Sequence, residues 1–371
     1  MFETALVFLA TMGIISLPFY KKTKTKEGYY LSSRKMGTTT LSFTLAATTI
    51  GGSAIIITLK LMEKYGKFGI IPDIAGGMGL IILSITLAGK VRKTKAITLP
   101  SMLKSKTSKS IYIFIALGLV IAEICWIGLS VKSIQIIGNL TFSQTAAITA
   151  GIVFYSLIGG QWSVSKTDII QLSLILAGLI WYAFGKPPAT EIQTGNIDIT
   201  LIYIASIMLF SHIIGPDIYS KILSAKDEKT AKKGTFIGGF LKILFSVLLI
   251  FAVKKGFSLS NINILIFLIV FSAIISSIDS MLITSTSMVC EDLFKTEKRW
   301  KIKTATVLIA ILSFSAAVFT PNILNLLKSG YTVLLLTVAF PVISLFANGT
   351  VEKNSLFLPL IAFFIVFFVS K

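Results

Sequence analysis

Long apolar stretches recur from one end of the chain to the other, and no other feature constrains its fold as strongly. Each runs for roughly 18 to 25 residues, enough for a helix to cross about 30 Å of hydrocarbon. Of the 371 residues, 54% are hydrophobic and 14% charged, whereas a soluble domain carries about a quarter charged residues. The chain therefore reads as an all-α polytopic membrane protein with no soluble domain between its spans. Spans are expected at about 2–20, 39–64, 69–89, 110–136, 143–160, 165–184, 199–224, 233–253, 262–290, 304–320, 331–348 and 354–370, about twelve in all. The first, FETALVFLATMGIISLPFY, lacks a basic region before it and a small-x-small cleavage site after it, so it reads as a retained helix rather than a signal peptide. Cys125 and Cys290 fall in apolar segments without metal-ligand spacing and read as packing residues.

A net charge of +19 would suit a nucleic-acid binder if the basic residues shared one surface. They are instead grouped in alternate connections: Lys21 to Lys35, Lys90 to Lys109, Lys221 to Lys233, and Lys295 to Lys303. That alternation is the positive-inside pattern. It makes those connections cytoplasmic, puts the N-terminus outside a cell (inner or plasma) membrane, and excludes nucleic acid as partner.

Expected spans two to six and seven to eleven form two sets of five, and an odd number of crossings brings the second set in from the opposite side. This is an inverted repeat with one extra helix on each side. Residues 1–38 form an accessory helix and loop, 39–184 and 199–348 the two repeats, and 354–371 a C-terminal accessory helix. The first span of each set is interrupted, by Gly51 and Gly52 in LAATTIGGSAIII and by Gly215 and Pro216 in FSHIIGPDIYSK. Matched interruptions point to a transporter's binding site, because freed backbone groups are tolerated at that depth only where they line a cavity or meet a ligand. A packing kink is the plainer alternative for either break alone.

The span near 262–290 carries AIISSIDSMLITSTSM, in which Ser276, Asp279, Ser280, Thr284 and Ser287 recur every three or four residues along one helix face, with Ser277 beside them. Such a face of oxygens suits a hard cation. Hydroxyls alone often serve packing or bond back to the preceding turn, but Asp279 at that depth costs on the order of 3 kcal/mol unless paired or solvated. The same cost singles out Glu123 in VIAEICWIG. It is a candidate for binding a hydroxyl or ammonium group, unless it pairs with Lys132 through a bend. His212 is either a hydrogen-bonding core residue or a gate. Asp73, after Pro72, is either solvated or a solute ligand. Lys60 and Lys242 are expected to snorkel to the interface, and Asp168 could simply cap a helix starting near Ser165.

FYSLIGGQWSVSKTDIIQLSLIL (154–176) resembles the signature of the sodium/solute symporter family in its Tyr, Gly-Gly, Val, Thr-Asp and Gln. TLAATTIGGSAIIITLKLMEKYG is similar to that family's first core helix, KTKTKEGYYLSSRKMG and AITLPSMLKSK to its first two cytoplasmic loops, and AIISSIDSMLITSTSMVCEDLF to its eighth core helix. The resemblance implies a LeuT-like 5+5 inverted-repeat fold that moves a small solute with Na+ by alternating access. It also implies a sodium site formed by Leu41, Thr44, Ala273, Ser276 and Ser277, and a possible additional one at Asp168, Ser276, Asp279 and Ser280, where Asp279 replaces an expected serine. Thr48 falls on a substrate position, and Asp73 near one at which sugar-transporting relatives carry a carboxylate. With Glu123 and His212 these are the substrate-binding candidates.

No HExxH cluster or phosphate-binding GxxxxGK[ST] occurs, so neither an enzyme nor an ATP-driven pump is expected, and the energy source should be an ion gradient. The expected function is sodium-coupled symport of a small organic solute, of the sugar, amino acid, carboxylate or vitamin class. Two alternatives are a proton-coupled permease using Asp279 or Glu123, and a solute sensor that does not transport.

Overall fold

The computed structural model describes residues 1–185, 192, 194–320, 323–339, 341 and 344. In chain order its helices are α1 (Phe2–Ser16), α2 (Lys26–Leu31), α3 (Thr38–Ile50), α4 (Gly52–Tyr65), α5 (Ile71–Thr86), α6 (Ala88–Lys93), α7 (Leu99–Leu103) and α8 (Lys109–Gly138). They continue as α9 (Phe142–Ala183), α10 (Ile199–Ile214), α11 (Pro216–Leu223), α12 (Glu228–Lys254), α13 (Ile264–Ser287), α14 (Arg299–Phe319) and α15 (Ile323–Leu334).

Among the described residues, eight helical stretches are long and apolar enough to cross a membrane, and nine when α3 and α4, bent by 52°, count as one span. The difference from the expected twelve has local causes. The spans expected at 143–160 and 165–184 are one helical run, α9, folded sharply at a single residue rather than joined by a loop. That residue, Gly160, has φ 50° and ψ −149°, and a Cβ there would lie 2.6 Å from the Tyr29 carbonyl oxygen, so only glycine fits. The span expected at 331–348 lies partly outside the described residues. The helix expected at 354–370, and with it the segment 354–371, lies wholly outside them.

The packing follows from how polar each helix is. α13, which carries the hydroxyl-rich face, has 83% of its membrane window buried and packs on α3, α4, α8 and α9. α5 packs between α10 and α12, and α12 also lies along α3. Peripheral helices present Phe, Ile and Leu outward, as at Phe154, Trp181, Phe240 and Phe251, which is the surface a lipid solvent requires.

At the end of the bundle bearing the basic clusters, short elements are clamped to one another by arginine. Arg34 donates to the carbonyls of Leu223, Lys95 and Ala96 at 3.2, 2.7 and 3.0 Å. Arg92 donates to the carbonyl of Ala225 at 2.5 Å. These carbonyls end helices or line loops, where intrahelical partners are missing.

Candidate functional site

The site begins with an interrupted helix. α3 stops at Ile50, and Gly51 (φ 31°, ψ 132°) turns the chain before α4 starts. The last four carbonyls of a helix have no intrahelical donor. Three of them here are met by side chains from elsewhere: Ser276 Oγ donates to Ala47 O at 3.0 Å, Ser277 Oγ to Thr48 O at 2.9 Å, and Lys242 Nζ to Thr49 O at 2.6 Å. Both serines also reach the Ala273 carbonyl, at 2.9 and 3.2 Å. Two hydroxyls and three carbonyls, one of them shared, thus converge beside the break. A Cβ on Gly51 would lie 2.9 Å from Ser277 Oγ, so glycine also sets the close approach of the two helices.

This geometry brings the serines to a different pair of α3 residues than the resemblance implies. Ser276, Ser277 and Ala273 come together as expected, but their α3 partners are Ala47 and Thr48, not Leu41 and Thr44. Leu41 lies nearly two turns back, against Gly234 of α12, and the Thr44 side chain turns to Asp168. Only residues at the helix terminus have carbonyls to spare; those at 41 and 44 lie within the regular part of α3.

Next to this cluster is a cavity of about 110 Å³ whose walls include Thr48, Gly51, Asp73, Trp126, Ser130, His212, Gly215, Asp217, Ser277 and Tyr331. Both interruptions, Gly51 and Gly215, therefore border one space. Trp126 and Tyr331 meet edge to face with centroids 5.3 Å apart. Ser130 Oγ and Trp126 Nε1 are buried and have no hydrogen-bond partner among the described residues. Thr48, Asp73 and His212 line the cavity as expected of substrate candidates. Glu123 does not: it is fully buried behind the wall, and neither carboxylate oxygen has a hydrogen-bond partner among the described residues. The proposed Glu123–Lys132 pair is not found among them.

Asp73 is not solvated. Lys242 Nζ lies 2.6 Å from its Oδ1, and Ser246 Oγ donates to its Oδ2 at 2.9 Å. The expectation that Lys242 snorkels fails on distance. The residue is fully buried and stands twelve residues from the nearer end of α12, about 18 Å at 1.5 Å per residue, which its side chain cannot span. His212 Nδ1 donates to the Met208 carbonyl at 2.7 Å, so it is both a core hydrogen-bonding residue and a cavity wall.

A second polar cluster lies deeper, between α3, α9, α11 and α13. Asp168 is fully buried and accepts from Thr44 Oγ1 and from Lys221 Nζ, the latter at 3.4 Å. Because α9 resumes directly after Gly160, Asp168 stands two turns into the helix, and the capping reading is overturned. Asp279 accepts from Tyr155 OH at 2.5 Å and, weakly, from Ser280 Oγ at 3.4 Å. Ser280 Oγ in turn lies 3.0 Å from Thr48 Oγ1, which joins this cluster to the cavity wall.

Lys221, Lys242 and Tyr155 were missed as site residues. Lys242 interrupts the apolar run FLKILF and deserved the membrane-cost argument applied to the acids. In the sequence Lys221 falls with the basic connection that follows it, but it is fully buried within α11. Tyr155 carried no signal of its own beyond its place in the resemblance.

Residues 29–186 match the family model described as the Sodium:solute symporter family. The high-affinity choline transporter 1 of Caenorhabditis elegans is 25% identical over 244 residues, 60% of this chain and 42% of that one. The sodium/pantothenate symporter of Escherichia coli (strain K12) is 26% identical over 246 residues, 57% of this chain and 50% of its own. The chain thus spans about half the length of the curated relatives it matches. Among solved structures, the outward-open, substrate-bound state of a Na+-coupled sialic acid symporter superposes with a TM-score of 0.75 over 95% of this chain and 86% of that one, at 16% identity. The fold is that of this symporter structure, and the relatives in sequence are transporters, not enzymes.

Proposed function

With the sodium:solute symporter match over residues 29–186 as the premise, we propose that this protein is a sodium-coupled symporter of a small organic solute, working by alternating access. One observation carries the reading: the oxygen cluster and the cavity share walls. Thr48, Gly51 and Ser277 belong to both. A cation taken up by the Ala47, Thr48 and Ala273 carbonyls and the Ser276 and Ser277 hydroxyls would replace hydrogen bonds that now tie α3 to α13. It would thereby set the shape of the wall the solute meets. All five donors are neutral oxygens, the ligand type a hard monovalent cation accepts without a fixed geometry.

The broken spans α3–α4 and α10–α11 are then the corresponding first members of two inverted five-helix sets. The arginine clamp at the basic end is the closed side of the alternating-access cycle, facing the cytoplasm, with the N-terminus outside a cell membrane. Asp73, held by Lys242, and Trp126 with Tyr331 are the solute-facing groups. Solutes of relatives, choline and pantothenate, give the scale of molecule rather than its identity. A proton-coupled cycle is the second reading, and Glu123, a buried carboxylate with both oxygens unpartnered among the described residues, favours it.

The test is thermal unfolding of the purified protein against NaCl, with KCl holding ionic strength constant, for wild type and Ser277→Ala. A ligand that binds only the folded state adds about 2.7 kcal/mol at a hundred times its Kd. Sodium-specific stabilisation that the variant loses is the expected result; equal response to sodium and potassium refutes sodium coupling at this site.

A further inference from the structure

The deeper cluster raises a question of charge. Asp168 and Asp279 are both fully buried, and Lys221 and Asp168 act on Asp279 through space. The groups around them are hydroxyls: Thr44 on Asp168, Tyr155 and Ser280 on Asp279. Two carboxylates ringed by hydroxyls form a donor set that would otherwise draw in a hard cation. The positive charge present is instead the ammonium of Lys221, 3.4 Å from Asp168 Oδ2, with both side chains at 0% exposure.

We propose that Lys221 is a tethered cation that takes the place of a second sodium ion, so that one sodium ion, not two, is bound per chain. The inference rests on the sodium reading above and concerns the number of ions, which that reading leaves open. Its physical basis is that a carboxylate in this interior must be neutralised, and that a free ion and an attached ammonium compete for the same oxygen. The attached charge is always present at the site, being joined to α11 through its own side chain. A sodium ion entering beside it would meet a like charge within a few ångströms and find Asp168 already neutralised, while Asp279 is held by the Tyr155 and Ser280 hydroxyls. Removing the ammonium frees Asp168 Oδ2 beside an Oδ1 that is buried and without a hydrogen-bond partner among the described residues, so both oxygens then face an ion. The tether also differs from an ion in function: it cannot leave with the solute, so this carboxylate does not contribute to coupling.

The experiment is the equilibrium binding of radioactive sodium at saturation to the purified full chain, counted per molecule of protein. Wild type is expected to bind one sodium. Lys221→Met is expected to bind two, a twofold rise, because Asp168 is left to find its cation from solution. Lys221→Met/Asp168→Asn, which removes both charges, is expected to return to one. Two sodium ions bound by wild type, or one by folded Lys221→Met, overturns the tethered-cation proposal and leaves sodium coupling standing. No sodium bound by wild type overturns the sodium reading, and this inference falls with it. Should Lys221→Met not fold, wild type and the double variant decide: one and one supports the proposal, two and one overturns it.

Discussion

Replacing Lys242 by methionine is the most informative single perturbation of the cavity wall. Methionine keeps the length and apolar stem of the side chain but deletes the ammonium, and two things follow from the structure. Asp73 keeps Ser246 as a donor at 2.9 Å but loses its counter-charge at 2.6 Å. The Thr49 carbonyl, at the end of α3, loses the donor that satisfied it. Removing one partner of a buried ion pair costs about 3–5 kcal/mol, and leaving a buried carbonyl unpaired costs about 1–3 kcal/mol, part of which is contained in that figure. Replacing both members, as Lys242→Met/Asp73→Asn, removes the uncompensated charge, so the double variant should lie closer to wild type than Lys242→Met does. The assay is a double-mutant cycle on unfolding in detergent, with Lys242→Met, Asp73→Asn and the pair. Coupling of about 2 kcal/mol or more is expected from a pair this close and this dry. Additive effects, or a Lys242→Met protein within about 0.5 kcal/mol of wild type, would refute the claim that the pair holds the break of α3 in place.

Gly51→Ala places a side chain on a backbone at φ 31° and 2.9 Å from Ser277 Oγ; a loss of about 1–3 kcal/mol is expected, together with weaker sodium-specific stabilisation in the same thermal titration. Tyr155→Phe deletes the hydroxyl donor to Asp279 and should destabilise by about 1–3 kcal/mol, a hydrogen bond to a charged or chargeable buried group, read from the shift in unfolding midpoint. Arg34→Lys should open the basic end as fully as Arg34→Ala, because one ammonium cannot replace a fork that reaches three carbonyls; a cysteine introduced at Ala225 would then label faster with a polar thiol reagent in both variants. At the head of α10, outside the membrane, the Asp198 carboxylate is held below its usual range by the hydrogen bond from the Leu201 amide. Its capping contribution is therefore present above the unfolded carboxylate pKa and lost as pH falls through the lower folded value, so the protection factor of the Leu201 amide, its exchange corrected for the intrinsic pH dependence, should fall on acidification in wild type and stay flat in Asp198→Ala.

Features that depend on short stretches of chain are legible without the fold. The helical, membrane-spanning class follows from the length of each apolar run, because the bilayer judges one helix at a time. The interruptions at Gly51 and Gly215 were legible because glycine and proline act on their own backbone. The oxygen-bearing face of α13 followed from helical periodicity. Tertiary structure decided which groups meet. Lys242 and Asp73 are 169 residues apart, and Lys221 and Asp168 are 53 apart. No local signal says that a lysine in an apolar run faces an acid rather than the interface. The register of α3 against α13 was decided in the same way: several α3 carbonyls could face the serines of α13, and only the packing of the two helices selects Ala47 and Thr48 as their partners. A buried charge is tolerable only beside its partner, and that partner is known only once the helices are in place.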